Sequence, residues 1–282
     1  MLSIKAPLKL VDFQKVLFEN QKLEISNEIR QKAENSFHFL QEFAKDKVIY
    51  GVNTGFGPMA QYRIKDEDRL QLQYNLIRSH ASGTGKPIAP LYVKASMLAR
   101  LHTLSLGYSG VHTSVLETMQ QLINHDITPL IFEHGGVGAS GDLVQLAHLA
   151  LVLIGEGEVF YKGERKSTIS VFEKLHIKPI QIKLREGLAL INGTSVMTGI
   201  GIVNIIHARR LLEWSVCCSS MLNELVAAYS DHFSAELNAS KVHGSQHSIA
   251  EMMRNHLKDS KRIKNREDHL YRDSSNTEAI FS

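Results

Sequence analysis

The sequence predicts a mainly α-helical protein, in which a loop-rich N-terminal domain feeds a long helical bundle that looks incomplete at its C-terminal end. Three observations carry this. Proline occurs six times and not at all after Pro179. From Gly193 to about Leu237 some forty-five residues run with no proline and few turn signals, far beyond the usual ~11–12-residue helix. Leu143 to Ile154 is apolar nearly all the way round, the pattern of a helix buried on every side.

The elements follow in order. Two amphipathic stretches, around Leu10–Glu19 and Ile25–Ala44, lead to a strand-like VIYGV at 48–52 and a glycine-rich loop, NTGFG, at 53–57. A helical stretch from Asp66 through Arg78 stops at SHASGTGKP. Pro90 stands near the start of an apolar helix reaching about Leu106. Ser114 to Asn124 forms another helix before TPLIFEH, and residues 157–168 (GEVFYKGERKST) suggest a polar hairpin. The domains expected are 1–190, the start of a central bundle at 191–257, and a charged, mobile tail at 258–282. A long helix pair with one apolar face needs partners from further chain or from other subunits.

Composition narrows the function. A formal charge of +3 over 282 residues, with Lys and Arg scattered, argues against nucleic acid as a partner. No segment reaches the ~18 apolar residues of a membrane span, and MLSIKAPLKLVDF lacks the unbroken apolar core of a signal peptide. These readings place the protein in the cytoplasm. Cys217 and Cys218, adjacent in an apolar helical stretch, read as buried reduced thiols.

The most informative stretch is GGVGASGDL at 135–143. Gly136 to Gly141 matches the dinucleotide fingerprint G-x-G-x-x-G, and Glu156 or Glu158 stands where its acidic residue could be. The context fails, because Glu158 precedes a strand instead of closing one and βαβ alternation is absent. A phosphate loop would need Lys-Ser/Thr where Asp142-Leu143 stands, and a nucleophile elbow would need glycine at 142. A helix cap explains Asp142 but gives no reason for Ala139-Ser140-Gly141. Backbone self-modification does. The Gly141 amide nitrogen can attack the Ala139 carbonyl carbon to close a five-membered ring. Loss of that carbonyl oxygen and of the Ser140 hydroxyl as water leaves a methylidene-imidazolinone, a strong electrophile. Glycine supplies an unhindered nitrogen and permissive dihedrals, and serine supplies the β-carbon with its leaving oxygen.

With these residues the sequence resembles the aromatic amino acid ammonia-lyases, the histidine, phenylalanine and tyrosine enzymes. The resemblance extends over GGVGASGDLVQLAHLALVLIGEGEV (135–159), YGVNTGFG (50–57), QYNLIRSHASGTG (73–85) and EGLALINGT (186–194), in the family's order and spacing. It implies the ammonia-lyase/fumarase-like helical fold and a self-formed 4-methylidene-imidazol-5-one from Ala139, Ser140 and Gly141, with no external cofactor. It further implies Tyr50 as the general base, with Gly57, His80 and Asn192 on the substrate side. As a phenolate, Tyr50 would take the substrate's β-proton, and positive helix ends aimed at the site would favour that form. Ser79-His80 is the form common among histidine enzymes, while the wider sequence looks most like the flavobacterial tyrosine ammonia-lyases, which also carry Ser-His. The implied reaction is tyrosine to p-coumarate plus ammonia, with histidine to urocanate as the alternative. An aminomutase outcome is not distinguished by these residues, and the alternative of another class is an inactive helical interaction protein whose loop never cyclises. Family members run to roughly twice this length, so the chain looks like an N-terminal portion of a homotetramer. A downstream Q-x-x-Y-S-x-R segment would supply a bidentate arginine clamp for the substrate carboxylate.

Overall fold

A computed structural model describes residues 2–4, 7–45 and 47–265, and divides into two compact units, one ending at Ile205 and the other beginning at Ile206. In the first unit β1 (Leu2–Ile4) lies parallel to β2 (Leu23–Ile25), with α1 (Leu10–Phe18) between them in sequence. Ser26 caps α2 (Asn27–Phe43) by accepting the Ile29 N–H. Next come α3 (Arg69–His80), β3 (Thr84–Pro87), α4 (Pro90–Ser105) and α5 (Thr113–Asn124). Two short strands, β4 (Thr128–Pro129) and β5 (Phe132–His134), precede α6 (Leu143–Leu153). The expected hairpin forms as β6 (Glu158–Tyr161) and β7 (Glu164–Ser167), followed by α7 (Thr168–Leu175), α8 (Glu186–Ile191) and α9 (Ser195–Leu225). The second unit holds α10 (Ala235–Ala239) and α11 (Gly244–Leu257), and Phe233 ahead of α10 clusters with Ala250 and Leu257 of α11.

The core of the first unit is helical. Val115, Met119 and Leu122 recur at helical spacing on α5, and all three are fully buried. They share one cluster with Leu98, Leu101 and Leu104 of α4 and with Leu146, Ala147, Ala150 and Leu153 of α6. The apolar circumference of α6 is matched by its burial, since none of its residues is exposed. Sheets are minor. β3 pairs antiparallel with β5, and β4, β6 and β7 form an antiparallel sheet. The parallel βαβ frame that a dinucleotide site needs is not what surrounds GGVGASG. Glu156 and Glu158 have other duties. Glu156 takes a two-pronged pair from Arg78, and Glu158 takes one from Arg165 across the hairpin.

Several local expectations change. Residues 48–52 are a turn, not a strand, because Asn53 folds them over itself. The Asn53 carboxamide accepts the Ile49 N–H at 2.7 Å and donates to the Lys47 carbonyl at 2.6 Å, displacing any ladder. The long run after Gly193 is helical only to Leu225, and the chain then turns through Ala227 at φ 50°. The cysteines are not buried: Cys217 is half-buried and Cys218 exposed. Of the tail expected from residue 258, residues 258–265 are described, with Ser260 donating to Glu224 and the Lys264 N–H to the Ala228 carbonyl. The remainder, to residue 282, lies outside the described residues. The boundary expected at 190 falls inside α8. Among the described residues no helix is long and apolar enough to cross a membrane.

Two glycines on α9 give a direct test of how it packs. A Cβ on Gly199 would run into the Ser96 and Ala95 backbone of α4, whereas one on Gly201 meets nothing within 4 Å. Gly201→Ala should therefore stabilise the chain by up to about 1 kcal/mol through helix propensity. Gly199→Ala should destabilise it by about 1–3 kcal/mol, since overpacking against backbone exceeds the same gain. Urea unfolding of the two variants checks both signs.

Candidate active site

The antiparallel β3–β5 pair delivers the chain into residues 135–141. The residues from Glu133 to Ser140 are all exposed, Val137 at 90 %. Gly138 and Ala139 each bridge to Gly141, so the backbone doubles back over Ser140. Gly141 has φ +84°, a left-handed value, and a side chain there would overlap the Gly193 carbonyl. The Ala139-Ser140-Gly141 tripeptide is thus held in a tight reversal.

What holds it is the end of α8. The Asp142 N–H donates to the Gly193 carbonyl at 2.7 Å, and the Asn192 Nδ2 donates to the Ser140 carbonyl at 3.4 Å. The two peptide groups flanking Gly141 are therefore both bonded to Asn192-Gly193. Asp142 also departs from its expected role. Its carboxylate makes no cap on its own helix, α6, and instead accepts the N–H groups of Val196 and Met197, at 2.8 and 3.0 Å. It caps α9 from across the site, placing a negative charge at that helix's positive end.

Tyr50 reaches the same region by a different route. Gly51, at φ +73°, packs so closely on Leu188 of α8 that a side chain would overlap it. Buried Gln73 of α3 ties the two segments together, its Nε2 donating to the Gly51 carbonyl at 3.1 Å and its Oε1 accepting the Leu188 N–H at 3.2 Å. Tyr50 is left 49 % exposed, edge-on to Phe56, and its Oη accepts the Gly57 N–H at 3.1 Å. Gly57 adopts φ +55° with open space on its Cβ side. Tyr50 and Asn192 line one cleft of about 650 Å³, together with Arg100, Leu188, Gly193 and Thr194.

His80 and residues 139–141 are not part of that lining. His80 ends α3, and its Nδ1 lies 2.9 Å from the Leu76 carbonyl and 3.2 Å from the Ser79 hydroxyl. The segment after His80 does meet the loop's approach: the Gly83 N–H donates to Nε2 of His148 on α6 at 3.1 Å. Burial lowers the His148 pKa, keeping the ring neutral to accept.

Two buried charges complete the site, and sequence reading missed both roles. Arg100 is 3 % exposed among the apolar residues of α4. Its Nη2 donates to the carbonyls of Ala189 and Asn192, the latter at 2.8 Å, so a cation sits at the negative end of α8. Burial lowers its pKa to about 10, against the opposing charge of Asp142. Glu186, fully buried at the other end of α8, accepts the N–H groups of His112 and Lys183 at 2.7 and 2.6 Å. Burial raises its carboxyl to about 7, against the lowering effect of those two donors. The signal for Arg100 was a lone charge inside SMLARLHTL, which must find partners once buried.

The fold is helical with small accessory sheets, and Asn192 joins the cleft that Tyr50 lines to the bent Ala-Ser-Gly loop. The family model for aromatic amino acid lyases matches residues 8–276, and the chain belongs to that family. It is 38 % identical over 255 residues to a histidine ammonia-lyase of Bacillus velezensis, covering 90 % of this chain and 50 % of that protein. A probable histidine ammonia-lyase of Thermoplasma volcanium is 40 % identical over 257 residues, covering 91 % and 52 %. Among solved structures, a tyrosine aminomutase from Streptomyces globisporus superposes with a TM-score of 0.88 at 34 % identity, over 95 % of this chain and 51 % of that one. The chain spans about half the length of the curated relatives it matches.

The Glu186 carboxyl makes a pH test. Its folded pKa of about 7 lies above the ordinary 4.5, so between these values the native state holds a proton the unfolded chain has released. Its contribution to stability is fully present below 4.5 and is lost as pH rises through 7, on the order of 3 kcal/mol at about 1.4 kcal/mol per unit. Glu186→Gln should gain on the native chain across this window in urea titrations. A stability difference that stays flat with pH would contradict the assignment.

Proposed function

We propose that this chain carries the catalytic loop of an aromatic amino acid ammonia-lyase that eliminates ammonia from L-tyrosine to give p-coumarate. The observation that carries the reading is the clamp on Gly141, whose two flanking peptide groups are both held by Asn192-Gly193. Ring closure needs the Gly141 nitrogen kept facing the Ala139 carbonyl carbon. Holding reacting groups in register removes much of the entropy cost of such a step. The methylidene-imidazolinone so formed supplies an electrophile for the substrate amine, with no external cofactor.

The chain's own residues do the rest. Tyr50 takes the β-proton as general base, and the Gly57 N–H is already in place to donate to its oxygen once that oxygen is charged. Asn192 holds the Ser140 carbonyl, the oxygen retained on the ring. Gly57 leaves the substrate room to approach the backbone, and the family resemblance puts His80 on the substrate side. Tyrosine is favoured by the wider sequence resemblance, with support from the tyrosine aminomutase structure. The second reading, histidine to urocanate, is favoured by the histidine ammonia-lyases at 38–40 % identity. A homotetramer belongs to the same proposal. It is supported by apolar residues that α9 leaves exposed, among them Trp214 at 69 %, Leu211 and Leu225.

Intact mass tests the loop, since cyclisation removes two waters from the chain, and an unshifted mass in the native chain would sink the mechanism. Ultraviolet assays with tyrosine, histidine and phenylalanine in parallel test the substrate, with p-coumarate expected to form fastest. Tyr50→Phe should cut turnover roughly 10²–10⁴-fold, the range for a lost general base. Ser140→Ala should abolish both the mass loss and turnover.

A further inference from the structure

We propose that Arg100 is a positioning residue for closure of the Ala139-Ser140-Gly141 ring, acting through the Asn192-Gly193 backbone that it holds. The inference rests on the reading above and assigns a role to a residue outside the motifs that support it. Arg100 projects from α4 among Met97, Leu98 and Leu101, all buried, where a guanidinium is costly unless every nearby acceptor is used. Its Nη2 donates to the carbonyls of Ala189 and Asn192. Its Nη1 lies so close to Gly193 that a Cβ there would overlap it. The guanidinium thus fixes the Asn192-Gly193 peptide from below, while that dipeptide grips the loop from above through the Asn192–Ser140 and Asp142–Gly193 hydrogen bonds. The influence of the Asp142 charge on Arg100 places both ends of this network in one electrostatic neighbourhood.

The chemistry shows why position matters. The Gly141 nitrogen bonds to the Ala139 carbonyl carbon, and that oxygen leaves as water with the protons of the Gly141 and Ser140 nitrogens. The Ser140 hydroxyl then leaves as a second water with the Ser140 α-proton, and no oxidant or reductant is needed. An amide nitrogen is a poor nucleophile, so the first bond depends on how often the loop presents it correctly. Removing Arg100 frees the dipeptide that fixes both peptide groups of Gly141.

The test follows the full chain over time by intact mass and by the near-ultraviolet absorbance of the conjugated ring. Circular dichroism and urea unfolding report the fold. The variants are Arg100→Met, Arg100→Lys and Leu122→Ala, the last a core truncation on α5 that destabilises without touching the loop. Folded Arg100→Met is expected to lose its two waters at least tenfold more slowly than the native chain. Arg100→Lys, which keeps the charge but cannot span both carbonyls, should fall between. Leu122→Ala should cyclise at the native rate despite its lower stability. Cyclisation of a folded Arg100→Met at the native rate would overturn the proposal. So would an equal slowing in Leu122→Ala, or failure of both Arg100 variants to fold, which would assign the residue to folding alone. A native chain that never loses the waters would instead defeat the functional reading itself.

Discussion

The site depends on one backbone-to-backbone contact, between Gly141 and Gly193. Neither position has room for a Cβ: at 141 it would strike the Gly193 carbonyl, and at 193 the Arg100 guanidinium. The contact brings two distant segments within hydrogen-bonding range, so that Ser140 meets Asn192 and Asp142 meets Gly193. It also sends the Asp142 carboxylate to the start of α9 instead of its own helix. The reversed loop, the asparagine and the long helix all take their positions from it.

That contact is anchored by α8, a helix of six residues with a buried ionisable group at each end. The Glu186 carboxyl accepts backbone N–H groups at the N-terminal end, and the Arg100 cation reaches the C-terminal end, where the helix dipole favours it. A helix this short is marginal by itself, and here its ends are satisfied by partners from elsewhere in the chain. Gln73 adds a third tie, joining the middle of α8 to the tyrosine loop. The same small helix therefore sets the position of Tyr50 on one side and of the Ala-Ser-Gly loop on the other.

Exposure of the loop and of the α9 apolar residues has a common physical meaning. The electrophile proposed for the loop would be useful only where water and stray nucleophiles are excluded, and a helix bearing Leu211, Trp214 and Leu225 in water gains by covering them.

The sequence by itself determined the helical class, the helices α1 to α6 with the hairpin after them, and the four segments that carry the family resemblance. Period and composition are local properties, and the apolar run of α6 and the Pro90 start of α4 report them directly. Ala139, Ser140 and Gly141 stood out because those residue types permit ring closure, whereas Tyr50 and Asn192 were picked out only by the family resemblance. Only the tertiary structure decided that 48–52 is a turn, because the Asn53 side chain outcompetes a ladder that no neighbouring strand offers. Only it decided which helix Asp142 caps, and why an arginine stands inside α4. These depend on which backbone passes within about 3 Å of which side chain, a relation between segments some fifty to a hundred residues apart that no local pattern encodes.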